Sequence, residues 1–538
     1  MLPTIRLVFV LFAMGLLAAV AQSQVNTTLC GPRVRRAYSK LSMAERDTLK
    51  LAFELAMQLG HHHRFVAVHQ HPPNEYEAHS CMLVYWHRRF LWGYENMLRS
   101  LGDDFQCITI PFWDYTAASS NYLDPNVPCA SMAECNPVLP DYGASSSINV
   151  DSNSSTFILG GSTTAAGETV NADYCVRDPD QPATRSFCQS EDAFRTNTCL
   201  GCIPRGDWTA AQVTTDMTLV SISNQVFAPT MSVFTQNIMY KVHPKVHANL
   251  NGAMSTMASP ADPVFFFHHA MMDALWSIYY KCQAQGAMLS DSRVFPPSDW
   301  NLFNRRVCGP AVAIAKSSSP RFTISKNNMS MLYVNGTTGA ATFDVGDPRS
   351  PLAPFFASTP TTYTSYGRYP ASAGISYDFA GTGLDILFNE CSSWLTSATV
   401  SSSTAASFLD ARYDGGRRNN KPKTRGQSKA VATQIDAMQR MYAHARKYVK
   451  SDRKAREYVE MMICVHRNEC LGGVFDYAAT FKRSFKLHLS PYCYDVLEDI
   501  ATGERTIPVP GWARLLMDTY GCTHIQQDTP YQDRSRRY

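Results

Sequence analysis

A mainly α-helical fold, with long disulfide-stapled loops and a smaller strand-rich part toward the C-terminus, is predicted by three features of this 538-residue sequence. Apolar residues recur at helical spacing in several stretches, sixteen cysteines are spread along the chain, and one Cys-bearing stretch is rich in Ser, Gly, Pro and Asn. With 45% hydrophobic and 17% charged residues the chain can bury a large core, which excludes a disordered or fibrous polymer.

In chain order, Met1 to Ala21 place Arg6 before an apolar run ending in Ala19-Val20-Ala21, the pattern of a cleaved secretory signal. That run falls short of the roughly 20 residues that a bilayer span requires, and no later stretch is long enough. A secreted protein that does not engage a membrane is therefore expected. Sequons at Asn26, Asn153, Asn328 and Asn335 and the cysteine content suit an oxidising compartment.

Ser42-Met43-Ala44-Glu45 reads as a capping box that starts a helix, with Leu49, Phe53, Ala56 and Leu59 on its apolar face and Gly60 as its stop. A second helix is expected from Leu83 to Ser100, a third from Ala210 to Phe227, and a fourth from Val264 to Lys281 with Asp262 as its N-cap and Pro263 at its first position. Residues 117–207 read as a disulfide-stapled excursion, and Cys199 and Cys202 are expected in disulfides rather than on zinc. Residues 310–390 look rich in strands and turns. The chain divides into a signal (1–21), a main domain (22–390), a Ser/Thr-rich then basic linker (391–428) and a Cys-containing C-terminal region (429–538).

Eleven of the fifteen histidines fall in two windows, His61 to His87 and His243 to His269. His243 and His247 have the i, i+4 spacing that puts two imidazoles on one helix face, and His268 and His269 fall in the second turn of the following helix. The first window offers His69, His79 and His87, while His61-His62-His63 suit a helix C-terminus or solvent. Burying six unpaired imidazoles is costly without a metal to receive their lone pairs. Neutral imidazole sets without carboxylate or thiolate suit copper, iron, nickel or zinc. The formal charge of +4 is small, and the sequence shows no basic stripe interleaved with aromatics, so nucleic acid is not an expected partner.

Three motifs carry a resemblance. The first joins Phe65-Val66-Ala67-Val68-His69, His79 and Tyr85-Trp86-His87-Arg88-Arg89-Phe90-Leu91, and the second is Ile110-Pro111-Phe112-Trp113-Asp114. The third joins His243-x-x-x-His247, Asn251-Gly252, and Ser259 through His269 to Asp273-Ala274-Leu275-Trp276. Residues 30–285 thereby resemble the tyrosinase family of type 3 copper proteins, in particular secreted tyrosinases of molluscs and other invertebrates. The resemblance implies a four-helix bundle holding two copper ions, one on His69, His79 and His87 and the other on His243, His247 and His269, with His268 as a near neighbour.

It further implies a phenol oxidase that uses O₂ to convert o-diphenols, and in some members monophenols, to o-quinones. The alternatives are a haemocyanin-like oxygen carrier and a matrix protein that keeps only the fold. Trp86 and Trp276 are expected to pack near the site, and Arg88 with Asp273 to form a buried pair. Pro244 stands where strong monophenolases often carry an asparagine, so catechol oxidation is expected ahead of monophenol hydroxylation. The thioether-forming cysteine of some members is replaced by Glu77, and Cys81 is expected as a disulfide or buried thiol. The C-terminal region suits either a latency device released by cleavage near Arg417-Arg418 or an ordinary packed domain.

Overall fold

The computed structural model describes residues 30–79, 82–145, 156–160, 167–178, 180–287, 329–335, 341–368, 374–396, 424–485 and 487–522. The signal segment, Asn26, Asn153, Asn328, Cys81, Arg417-Arg418 and most of the linker lie outside them, as does the side chain of Asn335.

Helix α1 (Met43–Gln58) begins where its chemistry says it should. Ser42 accepts from the Glu45 amide and Glu45 returns a bond to the Ser42 amide, so two of the amides left open at a helix start are satisfied. It ends at Gly60, whose φ of +72° and 2.7 Å approach of a notional Cβ to the Phe194 ring leave no room for a side chain. Helix α2 (His62–Gln70) follows at once, and α3 (Leu83–Arg99) is buried along nearly its whole length.

The helix expected from Ala210 starts later, because Thr214 to Thr218 make a tight 3-10 turn and Thr218 then caps Leu219–Val226. Helices α4 (Val242–Leu250) and α5 (Val264–Tyr279) complete the set that faces the centre. Pro244 is tolerated because it lies in the first turn of α4, where a proline costs no intrahelical hydrogen bond. At the start of α5 the expected cap is in place: the Asp262 carboxylate accepts from the Val264 amide, two residues on and past Pro263, and it also pairs with buried Arg205 at 2.7 Å.

The strands among the described residues are short. Val34–Arg36 pairs in parallel with Ser376–Asp378, and three antiparallel pieces join Thr156–Leu159 with Glu168–Asn171, Tyr174–Val176 with Ile203–Arg205, and Leu332–Asn335 with Ala341–Asp344. Among the described residues of 310–390 the strand content lies in three of these segments, and helices Ala353–Phe356 and Gly383–Glu390 share the stretch. The excursion is stapled as expected, by Cys129–Cys135, Cys175–Cys202 and Cys188–Cys199, so Cys199 and Cys202 are both in disulfides.

The described C-terminal residues are helical. Helix α6 (Thr424–Arg446) and helix α7 (Asp452–Cys470) bring Ile435, Met438, Met441, Val459 and Met462 into the same apolar core as α1 to α5. Polar contacts reinforce that docking. Buried Glu460 accepts from Ser221, Asn224 and Lys241 at 2.7, 2.8 and 2.8 Å, and Arg467 donates to the Tyr122 hydroxyl. Among the described residues no helix is long and apolar enough to cross a membrane.

Candidate metal centre

Helices α2, α3, α4 and α5 each present histidine toward one buried space. His69 lies in the last turn of α2, His87 in the second turn of α3, His243 and His247 one turn apart on α4, and His268 and His269 in the second turn of α5. His79 ends the short helix Pro72–Ala78 that links α2 to α3. All six rings named from the sequence come together. His69 lies 5.2 Å from His79 and 5.3 Å from His87, and His243 lies 4.7 Å from His247 and 5.1 Å from His269, measured between ring centroids. The two sets meet where His87 stacks on His269 at 3.8 Å.

Hydrogen bonding fixes the tautomers of three rings. Nδ1 of His69, His87 and His247 faces the carbonyl oxygens of Met257, Leu83 and Met254 at 2.6, 2.9 and 2.6 Å. A carbonyl only accepts, so each Nδ1 carries the proton and each Nε2 presents a lone pair. Nε2 of His69 and Nε2 of His87 then face each other at 3.2 Å, two acceptors without a proton between them. Burial drives His69, His87, His243, His247, His268 and His269 toward the neutral form. It lowers His69 to about 4 and His247 to about 3, and holds His87, His243, His268 and His269 well below the ordinary histidine value.

Nε2 of His243, His247, His268 and both ring nitrogens of His269 are buried without a hydrogen-bond partner. The four residues offer nitrogens that lie within 4.8 Å of one another. Converging neutral imidazoles with free lone pairs fit a soft or borderline cation and leave no other route to satisfaction in a dry site. His268 belongs to this group by position, although the resemblance leaves it aside. Its Nδ1 meets the Tyr115 hydroxyl, a contact that the sequence did not signal.

Aromatic rings wall the space. Phe265, four residues before His269 and thus on the same face of α5, lies 5.0 Å from His69 and 4.2 Å from His269. Trp86 packs against His69 at 5.8 Å and donates to the Ser330 carbonyl. Trp276 lies elsewhere, with the Arg88 guanidinium 4.0 Å over its ring. Arg88 pairs with Asp273 at 2.8 Å, and both are buried. Glu77, also buried, accepts from the Ser330 amide and from Tyr363.

His61-His62-His63 are not solvent-facing as a group. His62 and His63 are buried, the former between Tyr94 and the Ala261 carbonyl and the latter on Glu191.

One residue that sequence reasoning missed closes the space from outside. Phe485, from the C-terminal region, lies 5.4 Å from His79, 5.0 Å from His247 and 6.5 Å from His243. It is buried and stacks on Phe481 at 4.5 Å. Its neighbour Ser484 donates to Glu168, whose carboxylate also takes the amides of Met257 and Ala258 beside the His69 partner carbonyl. No local pattern could have announced this contact, because Phe485 reaches the histidines only through the docking of a whole region.

Residues 60–281 match the common central domain of tyrosinase. Over 253 residues the chain is 26% identical to tyrosinase-like protein tyr-3 of Caenorhabditis elegans, covering 46% of this chain and 31% of the nematode protein. It is 24% identical to tyrosinase-like protein phomQ1 of Diaporthe leptostromiformis, covering 48% and 64% of the two chains, and 23% identical to a tyrosinase of Streptomyces glaucescens, covering 36% and 60%. The likeness spans less than two thirds of each relative's length, and the family match over residues 60–281 contains all six histidines.

Proposed function

The chain belongs to the tyrosinase family through residues 60–281, a family of copper proteins, and on that premise we propose that it is a secreted dicopper oxidase converting o-diphenols to o-quinones with O₂. In this reading His69, His79 and His87 hold one copper, and His243, His247 and His269 hold the other. Copper supplies the redox equivalents that pass between phenol and O₂. The protein supplies the rest. The Met257, Leu83 and Met254 carbonyls lock the ring orientations, as second partners of metal-bound imidazoles do. Phe265 and the surrounding helices keep water out. The observation that carries the reading is the 3.2 Å approach of two proton-free nitrogens, Nε2 of His69 and Nε2 of His87, in a buried setting.

Metal analysis of the purified protein tests it. Two coppers per chain are expected, falling to one in H247A and in H87A, together with loss of catechol oxidation in both. Zinc in place of copper, or an unchanged copper count in the variants, contradicts the assignment. Seven disulfides among the described residues support the oxidising compartment that secretion implies.

A second reading has an observation of its own. Phe485 occupies the approach to His79, His243 and His247, which suits a protein that binds O₂ while excluding phenols, or an enzyme kept latent until its C-terminal region leaves. Limited proteolysis in the 397–423 segment separates these. A latent enzyme gains catechol turnover, and a carrier whose site stays closed does not.

A further inference from the structure

The turn between α6 and α7 concentrates positive charge. Arg446, Lys447, Lys450, Arg453, Lys454 and Arg456 are six basic residues within 446–456, against the single acid Asp452, a local charge of 6 − 1 = +5. The whole chain carries +4, so everything outside this turn sums to 4 − 5 = −1. The sequence-wide balance conceals this concentration. Lys447, Lys450, Arg453 and Lys454 are exposed, and none of them makes an ion pair among the described residues. Asp452 is already taken by Arg446 at 3.1 Å and by the Tyr442 hydroxyl. Tyr448, 51% exposed, stands among the cations with its ring braced edge-on against His444 at 5.5 Å.

We propose that this α6–α7 turn is a docking surface for a sulfated polysaccharide. Four unpaired cations on a rigid helical hairpin fit a string of closely spaced sulfates, and binding gains by release of the counterions that such a chain condenses. An exposed tyrosine offers a flat face to a sugar ring. Two other polyanions are disfavoured. The turn presents no exposed large apolar side chain besides Tyr448 to anchor it in a bilayer, and a chain with seven described disulfides suits a compartment without nucleic acid. The choice of polysaccharide rests on the secreted reading above, but the binding itself does not, and the site lies on elements that carry no metal-centre histidine.

The test uses the full chain and heparin at physiological salt. The K447S/K450S/R453S/K454S variant, which alters only exposed side chains, is expected to bind heparin about tenfold or more weakly and with a shallower dependence on salt. A control variant at three exposed basic sites elsewhere, K429S/R440S/R514S, is expected to bind as the parent does. Catechol oxidation is expected unchanged in both, so a failed oxidase assay and a failed heparin assay are read separately. Equal heparin binding by parent and quadruple variant overturns the proposal. So does binding of poly-aspartate, duplex DNA or phosphatidylserine vesicles as tight as that of heparin, since sulfate and sugar would then confer nothing.

Discussion

His62 shows how much one buried ring commits to its protonation state. Its Nε2 donates to the Ala261 carbonyl at 3.1 Å, which leaves Nδ1 to accept from Tyr94 at 2.7 Å, and burial lowers its pKa to about 4. Folded and unfolded states both leave it neutral above pH 6.5. As pH falls from 6.5 toward 4 only the unfolded chain takes the proton, so stability drops across that window by roughly 3 kcal/mol and then levels off. Urea unfolding of metal-free protein from pH 7 to pH 4 is expected to fall more steeply in the parent than in H62Q, and parallel curves would remove the ring from the acid response. Pro244 makes a second prediction at this scale. With neither side-chain donor nor acceptor beside His243, the chain has nothing there to orient a proton-accepting water. P244N is expected to raise tyrosine hydroxylation relative to catechol oxidation by roughly a hundredfold, the low end of positioned proton transfer, at unchanged copper content. An unchanged ratio would place the discrimination elsewhere.

At the scale of elements, α3 and α5 are held together by charge as well as by rings. Asp273 of α5 pairs with Arg88 of α3 at 2.8 Å and with Arg35 at 3.2 Å, and accepts from Tyr377 at 2.5 Å, while Arg35 also pairs with Glu95 at 3.0 Å. Removing the one carboxylate leaves two buried guanidinium groups short of a partner, so D273N is expected to cost about 3–5 kcal/mol by urea unfolding. A loss under 1 kcal/mol would mean that water replaces the carboxylate. The segment bearing Phe485 makes the complementary prediction. F485A is expected to increase catechol kcat/KM without proteolysis while costing about 3 kcal/mol by urea unfolding, because the ring is buried against Phe481; no increase would show that the ring does not limit entry. Much of this level was legible beforehand. The capping box of α1 and the i, i+4 histidines of α4 are local patterns, set by chemistry within one or two turns. The cap that Asp262 gives Val264 is local in the same way, whereas its ion pair with Arg205 was not legible, because Arg205 is distant in sequence.

For the molecule as a whole, the helical architecture could be read from the chain because helical period is a short-range signal, and the six histidines that come together were named by the resemblance, spacing by itself marking only His243 and His247. The placement of the C-terminal region could not. Ile435, Met438 and Val459 look like any amphipathic face until the core that they join is known, and Phe485 has no motif at all. The cysteines add something that neither spacing nor composition foretold. Cys282–Cys391 fastens the chain just beyond α5 to the first residue of the linker, whereas Cys464–Cys493 and Cys470–Cys522 close entirely within the last region. The two remaining cysteines, Cys81 and Cys308, both precede the linker, so no intramolecular pairing of theirs can reach across it. A single cut between 397 and 423 is therefore expected to give two bands on a non-reducing gel, and one band would mean a covalent bridge that the connectivity forbids.

That connectivity has a kinetic meaning. Before a cut, Phe485 returns to the histidines as part of the same chain, at an effective concentration fixed by the tether. After it, return becomes an encounter between two molecules. Nicked protein is then expected to keep its cover when concentrated and shed it when diluted, so that dilution as much as the cut decides when the histidines are reached.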